Sequence, residues 1–293
     1  MRAYSADWEQ ILIHPRTTSL IQLAIEEDLE DKGDVTSDPI FALEHQSRAS
    51  LRIREEAVIC GLPLCGAIAA QYSPELQWTP HVAEGAQVTP TTVVAELQGP
   101  TRLVLQSERV ILNFLMRLSG IATHTRQCVN EVSPGSKTQI LDTRKTQPGY
   151  RWLDKIAVAI GGGANHRVGL YDMILVKDNH IAAAGSITAA VNATRAANPE
   201  LPIEIEVDTM EQLSEALELN PTMILLDNFT DAMVEQAIRV RGNKATLFEA
   251  SGGITLERIR SLSSIGVDRI SLGALTHTVR PIDFGLDDPT PCL

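Results

Sequence analysis

From about residue 138 the chain alternates short, continuously apolar runs with segments of helical period. The runs are QILDT (139–143), MILVKD (173–178), IEIEVD (203–208), MILLDN (223–228), TLFEAS (246–251) and RISLGA (269–274). Between them WLDKIAVAI, SITAAVNATRAA, TMEQLSEALEL, DAMVEQAIRV and TLERIRSLSSIG carry apolar residues at helical spacing. Strands that are apolar on both faces and separated by helices are parallel strands covered on both sides. Six such units in succession predict a (β/α) barrel or a doubly wound sheet.

The first half is patterned differently. TTSLIQLAIEEDLE is amphipathic and predicts an early helix, followed by the turn-rich GDVTSDP. RASLRIREEAVICG and LQWTPHVAEGAQVTPTTVVAELQGP alternate as half-buried strands do. A helical pattern over roughly 101–132 joins the halves, with a break expected near Ser119-Gly120. The domains read as an α+β domain over 1–116 and an α/β barrel over 117–279. The tail 280–293, RPIDFGLDDPTPCL, reads as irregular and is expected to pack back on the first domain.

Composition narrows the function. A net charge of −12 argues against sequence-independent nucleic-acid binding, which needs a basic footprint. No apolar run is long enough to span a bilayer, and the opening residues lack the apolar core of a signal peptide. Of Cys60, Cys65, Cys128 and Cys292 only the first two are close, as C-x4-C, with no second pair to complete a zinc site. The expectation is a cytoplasmic protein with reduced, mostly buried thiols and no membrane or nucleic-acid partner.

Charge is not spread evenly. Residues 142–180 hold six Lys/Arg against four Asp, a local balance of +2 in an acidic chain. Parallel α/β folds bind ligands just beyond the carboxyl ends of their strands. There the first two runs offer Asp142, Thr143, Arg144 and Lys145, then Lys177, Asp178 and Asn179. The next two offer Glu206, Asp208, Asp227 and Asn228. The last two offer Glu249, Ser251, Gly252 and Gly253, then Ser271 and Gly273, with His277 beyond.

Bare amides at SGG and SLGA suit a phosphate. Glu206 and Asp227 would then lie over a sugar, holding hydroxyls, holding Mg2+ or stabilising positive charge at an anomeric carbon. Arg144, His166, Arg167 and Lys177 suit a substrate with carboxylates. Plainer readings apply elsewhere. Arg151 and Lys155 are expected on a solvated helix face, and His81 and His124 as ordinary surface or core histidines. GGGANHRVG lacks the spacing and the preceding strand of a dinucleotide fingerprint. Lys177, ending an apolar run, is either paired with a carboxylate at depth or reaches into the site; the site is favoured.

At these residues the sequence resembles the quinolinate phosphoribosyltransferase family. The stretches are SERVILNFLMRLSGIAT, LDTRKTQPGYRWLDKIAV, GGGANHRVGLYDMILVKDNHI, IEIEVD, MILLDNF, EASGGI and SLGALTHTV, covering most of 100–280. EDLEDKGDVTSD and GLPLCG match more loosely. The resemblance implies an α/β protein: an N-terminal α+β, sandwich-like domain followed by an incomplete, open parallel α/β barrel. It implies a homodimer whose partner closes each site, and transfer of phosphoribosyl from 5-phosphoribosyl 1-diphosphate to quinolinate with loss of CO2. Mg2+ accompanies the diphosphate. By motif, Arg144, His166, Arg167 and Lys177 would hold quinolinate, with Lys145 near phosphate and carboxylate groups and Arg109 supplied by the neighbouring subunit. Glu206 and Asp227 would meet ribose or metal, and Ser251, Gly252, Gly253 and Gly273 phosphate. Lys145, Lys177, Glu206 and Asp227 are the catalytic candidates; Thr143, Ser271 and His277 complete the binding set. Three rivals share the signals: a paralogue associated with molybdenum transport, a phosphoribosyltransferase acting on nicotinate, whose single carboxylate would need fewer cations, and a non-catalytic sugar-phosphate sensor.

Overall fold

A computed structural model of the chain describes residues 7–291. It opens with α1 (Trp8–Leu12), α2 (Pro15–Leu29) and α3 (Ser37–Ile40). Asp7 caps α1 by accepting from the Glu9 and Gln10 amides. Asp34 accepts from the Thr36 and Ser37 amides, so the turn-rich exit ends in one helical turn. Then come β1 (Gln46–Ile53), β2 (Ala57–Val58), α4 (Leu62–Tyr72), β3 (Gln77–Pro80), β4 (Gln87–Val88) and β5 (Val93–Pro100). β1 buries Ser47, Ala49, Leu51 and Ile53 and turns the alternate residues outward, as its sequence pattern requires. The pattern did not reveal α4. It is apolar around most of its girth and so carries little helical contrast.

A single helix, α5 (Thr101–Asn130), follows. The break expected near Ser119-Gly120 is absent, because one glycine in a long helix costs only about 1 kcal/mol against alanine. Gly120 serves packing instead: a Cβ there would collide with the carbonyl oxygen of Arg280. The remaining elements are β6 (Gln139–Leu141), α6 (Arg151–Ile160), β7 (Ile174–Val176), α7 (Asp178–Ala184), α8 (Ile187–Ala197), β8 (Ile203–Val207), α9 (Met210–Glu218), β9 (Met223–Asp227), α10 (Asp231–Arg241), β10 (Leu247–Ser251), α11 (Leu256–Ile265), β11 (Arg269–Ser271), α12 (Ala274–His277) and β12 (Phe284–Pro291).

The chain forms two compact units. One, built from 125–146 and 163–277, contains a parallel sheet in the order β6-β11-β10-β9-β8-β7. Its edge strands β6 and β7 do not pair, so the barrel is open; only Ala164 bridges to Leu141 on the β6 side. All six sequence-predicted strands are present within a few residues of their expected limits. The other unit holds the described residues through His124, with Gln147–Gly162 and the chain from Thr278. Its antiparallel sheet runs β12-β1-β5-β3, with β2 and β4 as a separate pair.

Two expectations are corrected here. The tail is not irregular: β12 pairs with β1, matching Ile53 to Phe284 and Leu51 to Leu286. Asp287 on that strand accepts from Arg54 at 2.5 Å. A lone strand with two prolines gives almost no local signal, and the free edge of β1 supplies what the sequence pattern lacks. Lys155 is buried, not solvated, because α6 also buries Leu153, Asp154, Ile156, Ala157 and Val158. Beside it Asp154 receives both arms of Arg117, at 3.0 and 2.8 Å. Cys60, Cys65 and Cys128 are free and buried; Cys292 lies outside the described residues.

Gly120→Ala sets two effects against each other. Helix propensity favours alanine by about 1 kcal/mol, while forcing a methyl onto a backbone carbonyl costs typically 1–3 kcal/mol or more. Neither α5 nor the 280–282 segment can yield cheaply, since the Ile282 amide is bonded to the Met116 carbonyl at 3.0 Å. The substitution is expected to lower the melting temperature in calorimetry; a gain would show that the tail gives way.

Candidate active site

The open barrel is lined from inside by residues two apart on each strand, which share one face. Leu175 and Lys177 line it beside β7, Glu206 on β8, Leu225 and Asp227 on β9, Glu249 and Ser251 on β10, and Ser271 on β11. Thr143, Arg144, Lys145, His166 and Arg167 complete a cavity of ≈ 470 Å³ at the carboxyl ends of the strands. The strands' two-residue period therefore builds a deeper layer of Leu175, Leu225 and Glu249. Above it lies a polar rim.

Asp142 organises the loop that brings in the cations. This fully buried carboxylate follows β6 and accepts from the His166 amide at 2.8 Å and the Asn165 side chain at 2.6 Å. Further along, Asp172 accepts from the Val168 and Gly169 amides at 2.7 and 2.9 Å, and the Arg167 guanidinium donates to the Met173 carbonyl. Backbone satisfied in this way lets an irregular segment run buried. Arg167 is consequently fixed next to Arg144. Burial first, and then the Arg144 charge, hold the Arg167 guanidinium below its usual pKa. Two cations so placed raise the local potential and favour an anion with charges to match both.

The rim carries the rest. Lys177 donates to Glu206 at 2.5 Å and lines the cavity; the carboxylate pairing occurs at a half-exposed rim, not at depth. Asp227 accepts from the Asn228 amide group at 2.8 Å. Gly252 has φ +93, and a Cβ there would strike the Asn228 side chain, so only glycine lets this turn close. Gly273 lies between the side chains of Lys145 and His277. Glu206 and Asp227 are hard oxygen donors on neighbouring strands and fit the sparse carboxylate set that Mg2+ takes alongside phosphate oxygens and water.

Ten sequence-nominated residues line the cavity: Thr143, Arg144, Lys145, His166, Arg167, Lys177, Glu206, Asp227, Ser251 and Ser271. Gly252, Gly253 and Gly273, in turns, and His277, at the end of α12, lie beside it without lining it. Arg109, on α5, is not among the lining residues; its side chain is 68% exposed and lies 3.5 Å from Glu108. Glu204 and the site role of Glu249 escaped the sequence reading. For Glu204 the signal was the alternation in IEIEV, which puts it on one face of the strand with Glu206; for Glu249 it was the two-residue spacing from Ser251.

Both are wholly buried beside His166, whose Nε2 lies 2.9 Å from Glu204 and 3.5 Å from Glu249. Ligand atoms of the three groups lie within 4.8 Å of one another. Burial, then the charge of Glu204, push Glu249 up to about 7; His166, the Ser271 hydroxyl and Arg269 pull the other way.

Comparison with known proteins places nearly the whole chain among relatives. The family model described as quinolinate phosphoribosyl transferase, N-terminal domain, matches residues 34–119, and its C-terminal counterpart matches 121–287. A nicotinate-nucleotide pyrophosphorylase (carboxylating) of Mycobacterium leprae is 41% identical over 271 residues, 91% of this chain and 95% of that one. A probable enzyme of the same name from Bacillus subtilis is 43% identical, over 88% and 90% of the two chains. The crystal structure of NadC from Streptococcus pyogenes superposes with a TM-score of 0.90 at 34% identity, covering 94% of this chain and 97% of that one.

The raised Glu249 fixes the sign of a stability effect. Between pH ~4.5 and ~7 the folded chain keeps a proton that the unfolded chain has lost, so stability falls as pH rises through that window. Glu249→Gln removes this dependence. Its stability relative to the parent is expected to rise with pH across the window, by up to about 3 kcal/mol. Chemical denaturation at several pH values measures it; a pH-independent difference would contradict the protonated state.

Proposed function

The chain belongs to the quinolinate phosphoribosyl transferase family, and on that premise we propose how its pocket works. The reaction joins quinolinate to 5-phosphoribosyl 1-diphosphate, releasing diphosphate and CO2 and leaving nicotinate mononucleotide. The adjacent guanidinium groups of Arg144 and Arg167 carry this reading, because quinolinate has two adjacent carboxylates. A planar guanidinium grips a carboxylate with two parallel bonds, and the low dielectric of a closed site strengthens each. Lys145 and Lys177 add point charges for phosphate and carboxylate oxygens.

The ring nitrogen attacks the anomeric carbon as the bond to diphosphate breaks and its electron pair leaves with diphosphate. The nitrogen becomes a pyridinium, which accepts the electrons left when the neighbouring carboxylate departs as CO2. The ring carbon then takes up a proton from an ammonium group or water. Positioning and charge do most of this work, and no protein base is required. Glu206 and Asp227 lie where ribose hydroxyls or the developing charge at the anomeric carbon would meet them. They would also hold Mg2+, which when bound neutralises diphosphate and assists its departure. The amides at Ser251–Gly253 and Gly273 suit the 5-phosphate.

Arg109 completes the site from a second copy in a homodimer. Its exposed side chain, 3.5 Å from the adjacent Glu108, is consistent with serving another subunit. A cytoplasmic setting is consistent with the free thiols at Cys60, Cys65 and Cys128. No helix among the described residues is long and apolar enough to cross a membrane.

Two measurements test this. Arg144→Ala should keep its circular dichroism spectrum and lose roughly two to three orders of magnitude in quinolinate turnover, the scale of one preorganised charge contact. Near-parental turnover would remove the dicarboxylate assignment. Arg109→Ala and Arg144→Ala are each expected to keep no more than about 1% of parental activity alone. Co-expressed, they should recover about a quarter of parental activity, because half of randomly paired dimers contain one intact site. No recovery would place Arg109 outside the neighbouring site.

A further inference from the structure

The reaction as derived makes no use of the buried carboxylates beneath the pocket. His166 shows what they do. Its Nδ1 accepts the Arg167 amide proton at 2.8 Å, and a nitrogen that accepts a hydrogen bond carries no proton. The ring's proton is therefore on Nε2, directed at Glu204 at 2.9 Å with Glu249 at 3.5 Å. An imidazolium would press an Nδ1–H against the Arg167 N–H. A metal ion at this cluster would need the Nε2 lone pair that the proton occupies.

The carboxylates have an unmet need of their own. Glu204 Oε1 and both oxygens of Glu249 are buried without a hydrogen-bond partner in the described structure. Buried polar atoms left so are costly, and two ionised carboxylates side by side more costly still. A proton on Glu249 removes one of the two charges, while Glu204 keeps its hydrogen bond from the His166 ring.

We propose that Glu204 and Glu249 are positioning residues that fix His166 as an uncharged Nε2–H ring, with one proton retained at Glu249 so that the pocket floor carries a single negative charge while a dicarboxylate binds. His166 is then a neutral wall, and the substrate's charges are met by arginine and lysine alone. The groups facing Glu249 are Glu204 from β8, His166 from its loop, and Arg269 and Ser271 from β11, with Leu225 of β9 alongside. The identity of the dicarboxylate rests on the quinolinate reading above; the state of the ring does not.

The test accordingly has two readouts. Nitrogen NMR of the protein labelled in its histidine rings, with the signal assigned by its absence in His166→Gln, should show a neutral Nε2–H ring from pH 6 to pH 9. An imidazolium or an Nδ1–H ring overturns the proposal, whatever the enzyme turns over. The second readout is KM for quinolinate at saturating 5-phosphoribosyl 1-diphosphate. It should rise roughly tenfold from pH 6 to pH 9 as a second negative charge appears beneath the pocket, and stay within about twofold in Glu249→Gln. A flat parental profile, or the same rise in the variant, refutes the charge role. Should Glu249→Gln not fold, Glu204→Gln should move the rise to lower pH, and an unmoved rise refutes it equally. Complete absence of quinolinate turnover would count against the assigned reaction, and the ring spectrum would still decide this proposal.

Discussion

The carboxylate of Asp142 accepts at once from the His166 amide and the Asn165 side chain, and the pocket depends on that pair of bonds. Residues 163–173 contain no helix and only one β-bridge, so nothing periodic fixes their path. A buried acceptor at the end of β6 does so instead, assisted by Asp172 further along. Without that anchor His166 would not reach Glu204, and Arg167 would not be held beside Arg144.

The same region separates two signs of charge over a short distance. Cations come from the loops after β6 and β7 and from the segment between α6 and β7, while carboxylates come from β8, β9 and β10. A chain with a net charge of −12 can therefore present a locally cationic mouth, because fields in a cleft are set by the nearest fixed charges. Lys177 and Glu206 show the compromise at the rim. Their ion pair is half exposed, with the Lys177 side chain 42% accessible, so it can be exchanged for contacts to a polar ligand at modest cost.

The antiparallel unit is held by different means. Its sheet closes when β12, from the far end of the sequence, covers the edge of β1, and the 280–282 segment reaches α5 through the gap that Gly120 leaves. Exposed strand edges invite pairing with other chains, so covering this one also protects the unit.

Much was legible in the sequence because it is local. Strand and helix periods within 138–279 come from side-chain alternation along a few residues, and they located six strands and the polar residues at their ends. Ten of the nominated residues meet in one cavity for that reason. What the sequence left open depends on groups that only folding makes neighbours. Glu204 and Glu249 are 45 positions apart and become neighbours around His166, from strands on either side of β9. The tail becomes a strand because β1 offers an edge, and α5 continues through Gly120 because packing rewards the missing side chain. Local pattern fixes which elements form; burial beside particular partners, which only tertiary structure decides, fixes which charges those elements keep.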